Sequence, residues 1–159
     1  MIKKLQNNDL TLARNIRSVF QESYKVEAEL LNVKDFPPLK RNLESYVNSE
    51  NDFYGFLKNK ELAGVIEISH EDDFTHIHSL VVSPNFFRQG IAAQLMEFVL
   101  HTFFESKLFT VETGAANKPA IALYLKFDFK EVKKWKTDHG IRKVRFHKPI
   151  SSIPPAKNL

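Results

Sequence analysis

The stretch Ser79-Leu80-Val81-Val82-Ser83-Pro84-Asn85-Phe86-Phe87-Arg88-Gln89-Gly90-Ile91-Ala92-Ala93-Gln94-Leu95 joins an apolar run to a helical pattern through a tight loop. Pro84 ends a strand, and from Gly90 the residues Ile91, Leu95, Met96, Val99, Leu100 and Phe103 recur at the spacing of an amphipathic helix. The first helical residues are small, so unpaired N–H groups and the positive end of the helix dipole converge on nearly bare backbone. Gly90 and Ala92 would let a phosphate approach closely. A single glycine also fits an ordinary strand-loop-helix connection. The stretch has neither the Gly-Lys-Ser/Thr of a P-loop nor the three spaced glycines of a dinucleotide fold.

Working outward, Phe74 to Val82 is the last strand of a predicted meander, after Phe53 to Leu57 and Leu62 to Ser69, with polar turns at Lys58-Asn59-Lys60-Glu61 and Glu71-Asp72-Asp73. Upstream, Ile2 to Leu5 reads as a strand, and Asn8 or Asp9 caps a helix carrying Leu10, Ala13, Ile16, Val19 and Phe20. Prolines restrict their predecessors, so Asp35-Phe36-Pro37-Pro38 is expected to be extended, in a loop that exposes Phe36. Leu39, Leu43, Tyr46 and Val47 suggest a short second helix. Downstream come a buried strand, Leu108 to Glu112, a helix from Lys118 or Pro119 through Leu125, and strands Phe129 to Val132 and Ile141 to Phe146. The expected order is β-α-α-β-β-β-α-β-α-β-β: an α/β (α+β) mixed sheet with helices packed on it.

At 159 residues the chain fits one domain, expected over 1–150, with a frayed tail at 151–159. Its 43% hydrophobic content against 26% charged supplies a core and excludes disorder for the bulk of the chain. No run reaches the ~18 apolar residues of a membrane span and the N-terminus has no apolar leader, so no membrane is expected and the protein reads as cytoplasmic. The absence of cysteine excludes disulfides, thiolate nucleophiles and cysteine-based metal sites. The net charge of +4 is spread along the chain, so nucleic acid is not the expected partner; the basic run from Lys133 to Arg145 has only Trp135 interleaved as a stacking aromatic.

Two segments carry a family resemblance. Phe87-Arg88-Gln89-Gly90-Ile91-Ala92 resembles the acyl-CoA pyrophosphate loop of the GNAT superfamily of N-acetyltransferases, Gln/Arg-x-x-Gly-x-Gly/Ala, with Phe87 departing at the first position. Asn117-Lys118-Pro119-Ala120-Ile121-Ala122-Leu123-Tyr124-Leu125-Lys126-Phe127-Asp128-Phe129 resembles the family's Asn-x-x-Ala-x-x-Leu-Tyr-x-x-x-Gly-Phe element, with Asp128 in place of the turn glycine. The resemblance spans about residues 53 to 147. It implies an acyl-CoA N-acyltransferase fold and acetyl transfer from acetyl-CoA, as co-substrate, to a primary amine.

The resemblance also implies roles. The backbone of Leu80, Val81 and Val82 would pair with the pantetheine arm, and the amides of Arg88, Gln89, Gly90, Ile91, Ala92 and Ala93 would hold the pyrophosphate. An N–H near Val81 or Val82 would polarise the thioester carbonyl. Asn117 would contact the cofactor, and the Tyr124 hydroxyl would protonate the departing thiolate. An alkylamine with a pKa of about 10.4 is nearly all protonated at neutral pH, so a proton acceptor is needed. His76 and His78 are the candidates. They alternate in a strand, roughly 7 Å apart along the chain, and match the histidine pair of arylalkylamine N-acetyltransferases. Glu67 and Glu112 are reserves, either of which could instead pair with a lysine. With no cysteine to carry an acyl group, direct attack in a ternary complex is expected. The acceptor, a small-molecule or peptide amine, should meet the Tyr24 to Leu39 segment and the His76/His78 face. Edge-strand dimers in the family make a homodimer a further expectation.

Two other readings compete. His70-Glu71-Asp72-Asp73 with His76 and His78 offers oxygen and nitrogen ligands, although no metal is needed for acetyl transfer. A non-catalytic acyl-CoA sensor would keep the loop and lose the chemistry.

Overall fold

The computed structural model describes residues 1–150. The expected tail, 151–159, lies outside the described residues. Strand β1 (Ile2–Leu5) leads into α1 (Leu10–Leu30), whose first turn is capped by Asp9 accepting from the Leu12 amide at 3.1 Å. A 3-10 turn (Pro37–Lys40) and α2 (Leu43–Val47) precede the meander β2 (Asp52–Lys58), β3 (Glu61–Glu71) and β4 (Phe74–Val82). A second 3-10 turn (Pro84–Phe86), α3 (Ile91–Thr102), β5 (Leu108–Gly114), α4 (Lys118–Lys126), β6 (Lys130–Lys136) and β7 (Arg142–Pro149) complete the order expected from the sequence.

The strands form one seven-stranded sheet, β1-β2-β3-β4-β5-β7-β6, in which only β4 and β5 run parallel. Each face has its own core. Toward α1, Leu5, Phe53, Val65 and Val81 pack with Ala13, Ile16 and Phe20. Toward α3 and α4, Ile66, Ile68 and Ile77 pack with Ile91, Leu95, Val99 and Tyr124. The alternation of strand side chains divides the residues between the two cores. Gly64 of β3 is needed where α3 starts, because a Cβ there would sit 2.9 Å from Ile91 Cγ2 and 3.1 Å from the Val81 carbonyl. The N-terminus of α3 therefore rests directly on the sheet.

Two expectations are corrected between α1 and α2. Phe36 is extended, but Pro37–Lys40 turns as a 3-10 helix, since proline φ suits a first helical turn. Phe36 is buried rather than exposed, edge-on to Tyr24 at 5.9 Å and clustered with Ala28 and Ile141. Burying a ring of this size outweighs the local preference for an open loop. The sixth strand also runs further than expected, to Lys136. Asp128 takes the left-handed conformation, φ 67°, that glycine would otherwise supply at the turn from α4 to β6. No helix of the described residues is long and apolar enough to cross a membrane.

Candidate active site

The sheet is split at its centre. Parallel pairing of β4 with β5 covers only Phe74↔Leu108 to Ile77↔Val111, after which β4 stays on β3 and β5 stays on β7. The divergence coincides with a register shift on β4. Ile77 faces Ile68 and Ser79 faces Glu67, so His78 is the extra residue of a bulge, which bends the strand. Beyond it, the Ser83 amide donates to the Ala63 carbonyl at 2.8 Å. The alternation of an antiparallel ladder then turns the peptide of Val81 toward β3 and those of Leu80 and Val82 into the opening. An extended chain laid in the split would meet two unpaired peptide groups.

Where β4 ends, the backbone is wound so that its amides face outward. Arg88 and Gly90 both have positive φ, 63° and 75°, and Gly90 is the N-cap of α3 with no side-chain cap. The first amide of α3 to find a backbone carbonyl is that of Gln94, bonded to Gly90 at 3.0 Å. Among the described residues, the six amides from Arg88 to Ala93 have no backbone partner. A Cβ on Gly90 would meet nothing nearer than Gln94 Nε2 at 3.9 Å, so the glycine serves the backbone conformation and keeps the surface bare. Phe87, the departure from the family pattern, is exposed. Gln89 accepts from Lys58, and the buried Ser83 donates to Glu22 at 3.0 Å, tying the strand end to α1. Unpaired amides at a helix N-terminus fit a pyrophosphate, and the split fits the arm attached to it.

On the other side of the split lies a cleft of about 500 Å³, walled by α1, the Phe36–Pro38 turn, β4, β5, α4 and the β6–β7 hairpin. Tyr124 lines it, packed at a tilt against Phe146 at 5.7 Å and Phe129 at 5.9 Å. Burial, and then the charge of Glu27, push the Tyr124 hydroxyl up from its ordinary pKa, so it stays protonated. Asn117 caps α4 by accepting from Ala120 at 3.3 Å. Burial pushes the Glu27 carboxyl up, against the opposing influence of the Asn117 amide and the Lys143 charge. Sequence reasoning missed Glu27. The signal was an acid among Tyr24, Ala28 and Leu31 on the inward stripe of α1.

His76 and His78 point to the α1 face, opposite Ile77, with ring centroids 4.6 Å apart. Only His78 lines the cleft; it bonds Ser69 Oγ at 2.8 Å through Nε2. His76 lies behind it, with Nδ1 2.6 Å from Thr110 Oγ1. Burial, and then the neighbouring His78, hold His76 down at about 4, and burial also lowers His78 against the opposing charge of Glu67. Both rings are poised as free bases. His70, the other histidine of this stretch, bonds Thr75 and packs at a tilt on Phe103 across the sheet, away from the pair.

The two reserve carboxylates are engaged. Glu67 is buried and bound at both oxygens by Arg41, at 2.8 and 3.1 Å, and by Asn51 at 2.9 Å, so its cationic partner is an arginine rather than the lysine that stood as the alternative to a reserve base. The Arg41 guanidinium lies 4.0 Å from the Tyr46 ring centroid. Glu112, on the cleft wall, accepts from Arg145, and Lys143 is 3.9 Å away. Tyr24 shares a 2.9 Å hydrogen bond with Ser79, fixing α1 against β4 just beyond the bulge.

The sequence matches the Acetyltransferase (GNAT) family over residues 14–129. The chain belongs to the GNAT acetyltransferase family. This GNAT chain is 32% identical over 147 residues to the "UPF0157 protein YqkA" of Bacillus subtilis (strain 168), covering 92% of the chain and 43% of the relative. It thus spans less than half the length of that curated relative. The ribosomal-protein-S18-alanine N-acetyltransferase from Escherichia coli superposes with a TM-score of 0.77 at 21% identity, over 100% of this chain and 97% of that one. The PaiA N-acetyltransferase from Thermoplasma acidophilum, solved in complex with coenzyme A, gives 0.73 at 18% identity over 94% and 98%. At these identities the likeness is one of GNAT fold.

Proposed function

We propose that residues 1–150 act as a single catalytic domain that transfers an acetyl group from acetyl-CoA to a primary amine by direct attack in a ternary complex. The carrying observation is the juxtaposition of the β4–β5 split with the six unpaired amides from Arg88 to Ala93. When bound, acetyl-CoA supplies a thioester whose carbonyl is the electrophile. Leu80 and Val82 offer peptide groups to hold its arm, and Gly90, Ile91 and Ala92 offer amides to its phosphates. Asn117 stiffens the start of α4, from which Tyr124 presents a protonated phenol to the cleft. That phenol is the proton donor to the departing sulfur.

His78, facing the cleft, accepts the amine proton directly or through water, and its edge contact with His76 orients it. Both histidines have lowered pKa values, which keeps the acceptor site free at neutral pH. No metal enters the scheme, and acetyl-CoA as donor suits a cytoplasmic reaction.

The test is thiol release from acetyl-CoA by purified protein against a panel of amines, run beside calorimetric titration with CoA. Acetylation of at least one amine, reduced by Tyr124→Phe with CoA affinity retained, is the expected result. CoA binding without transfer to any acceptor would favour a sensor instead.

A further inference from the structure

Charge around the acceptor cleft is sorted by depth. Inside are the carboxylates of Glu27 and Glu112, with Lys143. Outside, sharing Leu31, His139 and Ile141 with the cleft, a groove of about 880 Å³ runs between the end of α1, the start of α4 and the β6–β7 hairpin. Its charged lining is Lys34, Lys118, Lys136 and Arg142 against Asp35 and Asp138. Asp35 is already paired with Lys40 at 2.6 Å. Among the described residues, none of the four cations has a carboxylate within ion-pair distance.

The arrangement is also locally unfavourable. Lys136 and Arg142 are direct cross-strand partners, and like charges placed opposite one another destabilise a ladder. Basic side chains on an edge hairpin would serve solubility equally well if splayed to solvent, yet these converge on a concavity continuous with the acceptor site. An anion in the groove would relieve the repulsion, while an ammonium would be drawn past it to Glu27, since Glu112 is already held by Arg145 with Lys143 beside it.

We propose that the acceptor is a primary amine tethered to an anionic group, a carboxylate or a phosphate, with the amine in the inner cleft and the anion against Lys34, Lys118, Lys136 and Arg142. This rests on the acetyl-transfer reading above. The groove has room for more than one carboxylate, which suits a short acidic peptide or a phosphorylated amino sugar better than a free alkylamine.

The experiment measures kcat/KM for two matched acceptor pairs: an Ala-Glu-Glu peptide against Ala-Gln-Gln, and an amino-sugar phosphate against its unphosphorylated parent. CoA affinity is measured in parallel. At least one anionic member should be favoured by about tenfold or more, and the gap should shrink with added salt. The favoured pair tells which anion is read. The preference should fall severalfold in Lys136→Glu and in Arg142→Glu, but not in Lys3→Glu, which makes the same charge change on β1 at the far edge of the sheet. CoA affinity should stay unchanged in all three variants. Equal rates within both pairs, no acetylation of any of the four, or a preference that survives both groove variants would overturn the proposal. Failure of CoA to bind the unaltered protein would instead overturn the transfer reading, and this inference with it.

Discussion

The two faces of the central sheet are built by different means. On the face toward α3 and α4, the β3 and β4 side chains beside the split, Ile66, Ile68, Ile77, Leu80 and Val82, are aliphatic, and what lies open there is main chain: the edge of Leu80 and Val82 and the amides of Arg88 to Ala93. On the face toward α1, the same strands carry Glu67, His76, His78 and Ser79, and β5 adds Thr110 and Glu112. Each of these is hydrogen-bonded, several to residues far away in sequence. A main-chain site tolerates changes of side chain so long as the backbone conformation survives. A site built of side chains depends on each partner.

The largest effect expected from this contrast is on the α1 face. Arg41→Ala would leave the buried Glu67 carboxylate without its bidentate partner, and breaking such a pair costs about 3–5 kcal/mol. Urea unfolding measures this, and a loss below about 1 kcal/mol would mean the pair is solvated. Next is Tyr124→Phe, which keeps the packing on Phe129 and Phe146 but removes the donor. We expect kcat to drop by about 100-fold with unchanged CoA affinity; a drop in thermal stability with no change in kcat would make the residue structural.

On the other face, Gly90→Leu forces a side chain into φ 75°, at a cost of about 1–2 kcal/mol. It should weaken CoA binding roughly tenfold while leaving the fold intact, because the site of the new Cβ is open. Gly64→Ala is the useful contrast, since its Cβ meets Ile91 and the Val81 carbonyl and should lower stability first. The last effect is on pH dependence. His76 folds with its pKa held down at about 4, below the ordinary 6.5, so the unfolded chain binds the extra proton. Its contribution to stability is therefore complete above about 6.5 and declines as pH falls toward 4. Melting temperatures across that window should fall less steeply in His76→Gln than in the unaltered protein.

What was legible in the sequence follows the same division. The strand-loop-helix around Gly90 and the Asn117 to Phe129 element are local in sequence, so periodicity and spacing carry them, and the element order follows. Asp128 breaks the written pattern without breaking the turn, because aspartate tolerates the left-handed conformation that the turn requires. The α1 face was opaque because its partners are distant in sequence. Arg41 and Glu67 are 26 residues apart, Tyr24 and Ser79 are 55 apart, and His76 and Thr110 are 34 apart. Phe36 was misread for the same reason. Its local sequence is that of an exposed loop, and only contacts with Tyr24, Ala28 and Ile141 bury it.

The proposed function requires the bare amides at the start of α3 to hold the phosphates of an acyl carrier while the strands beside them part for its arm. An amide-resolved NMR titration with CoA tests it most directly. Saturable shifts and slowed hydrogen exchange are expected at Arg88 to Ala93, with Leu80 and Val82 following on the same isotherm. Saturable shifts confined to the β6–β7 hairpin, or a spectrum that CoA leaves unchanged, would contradict it.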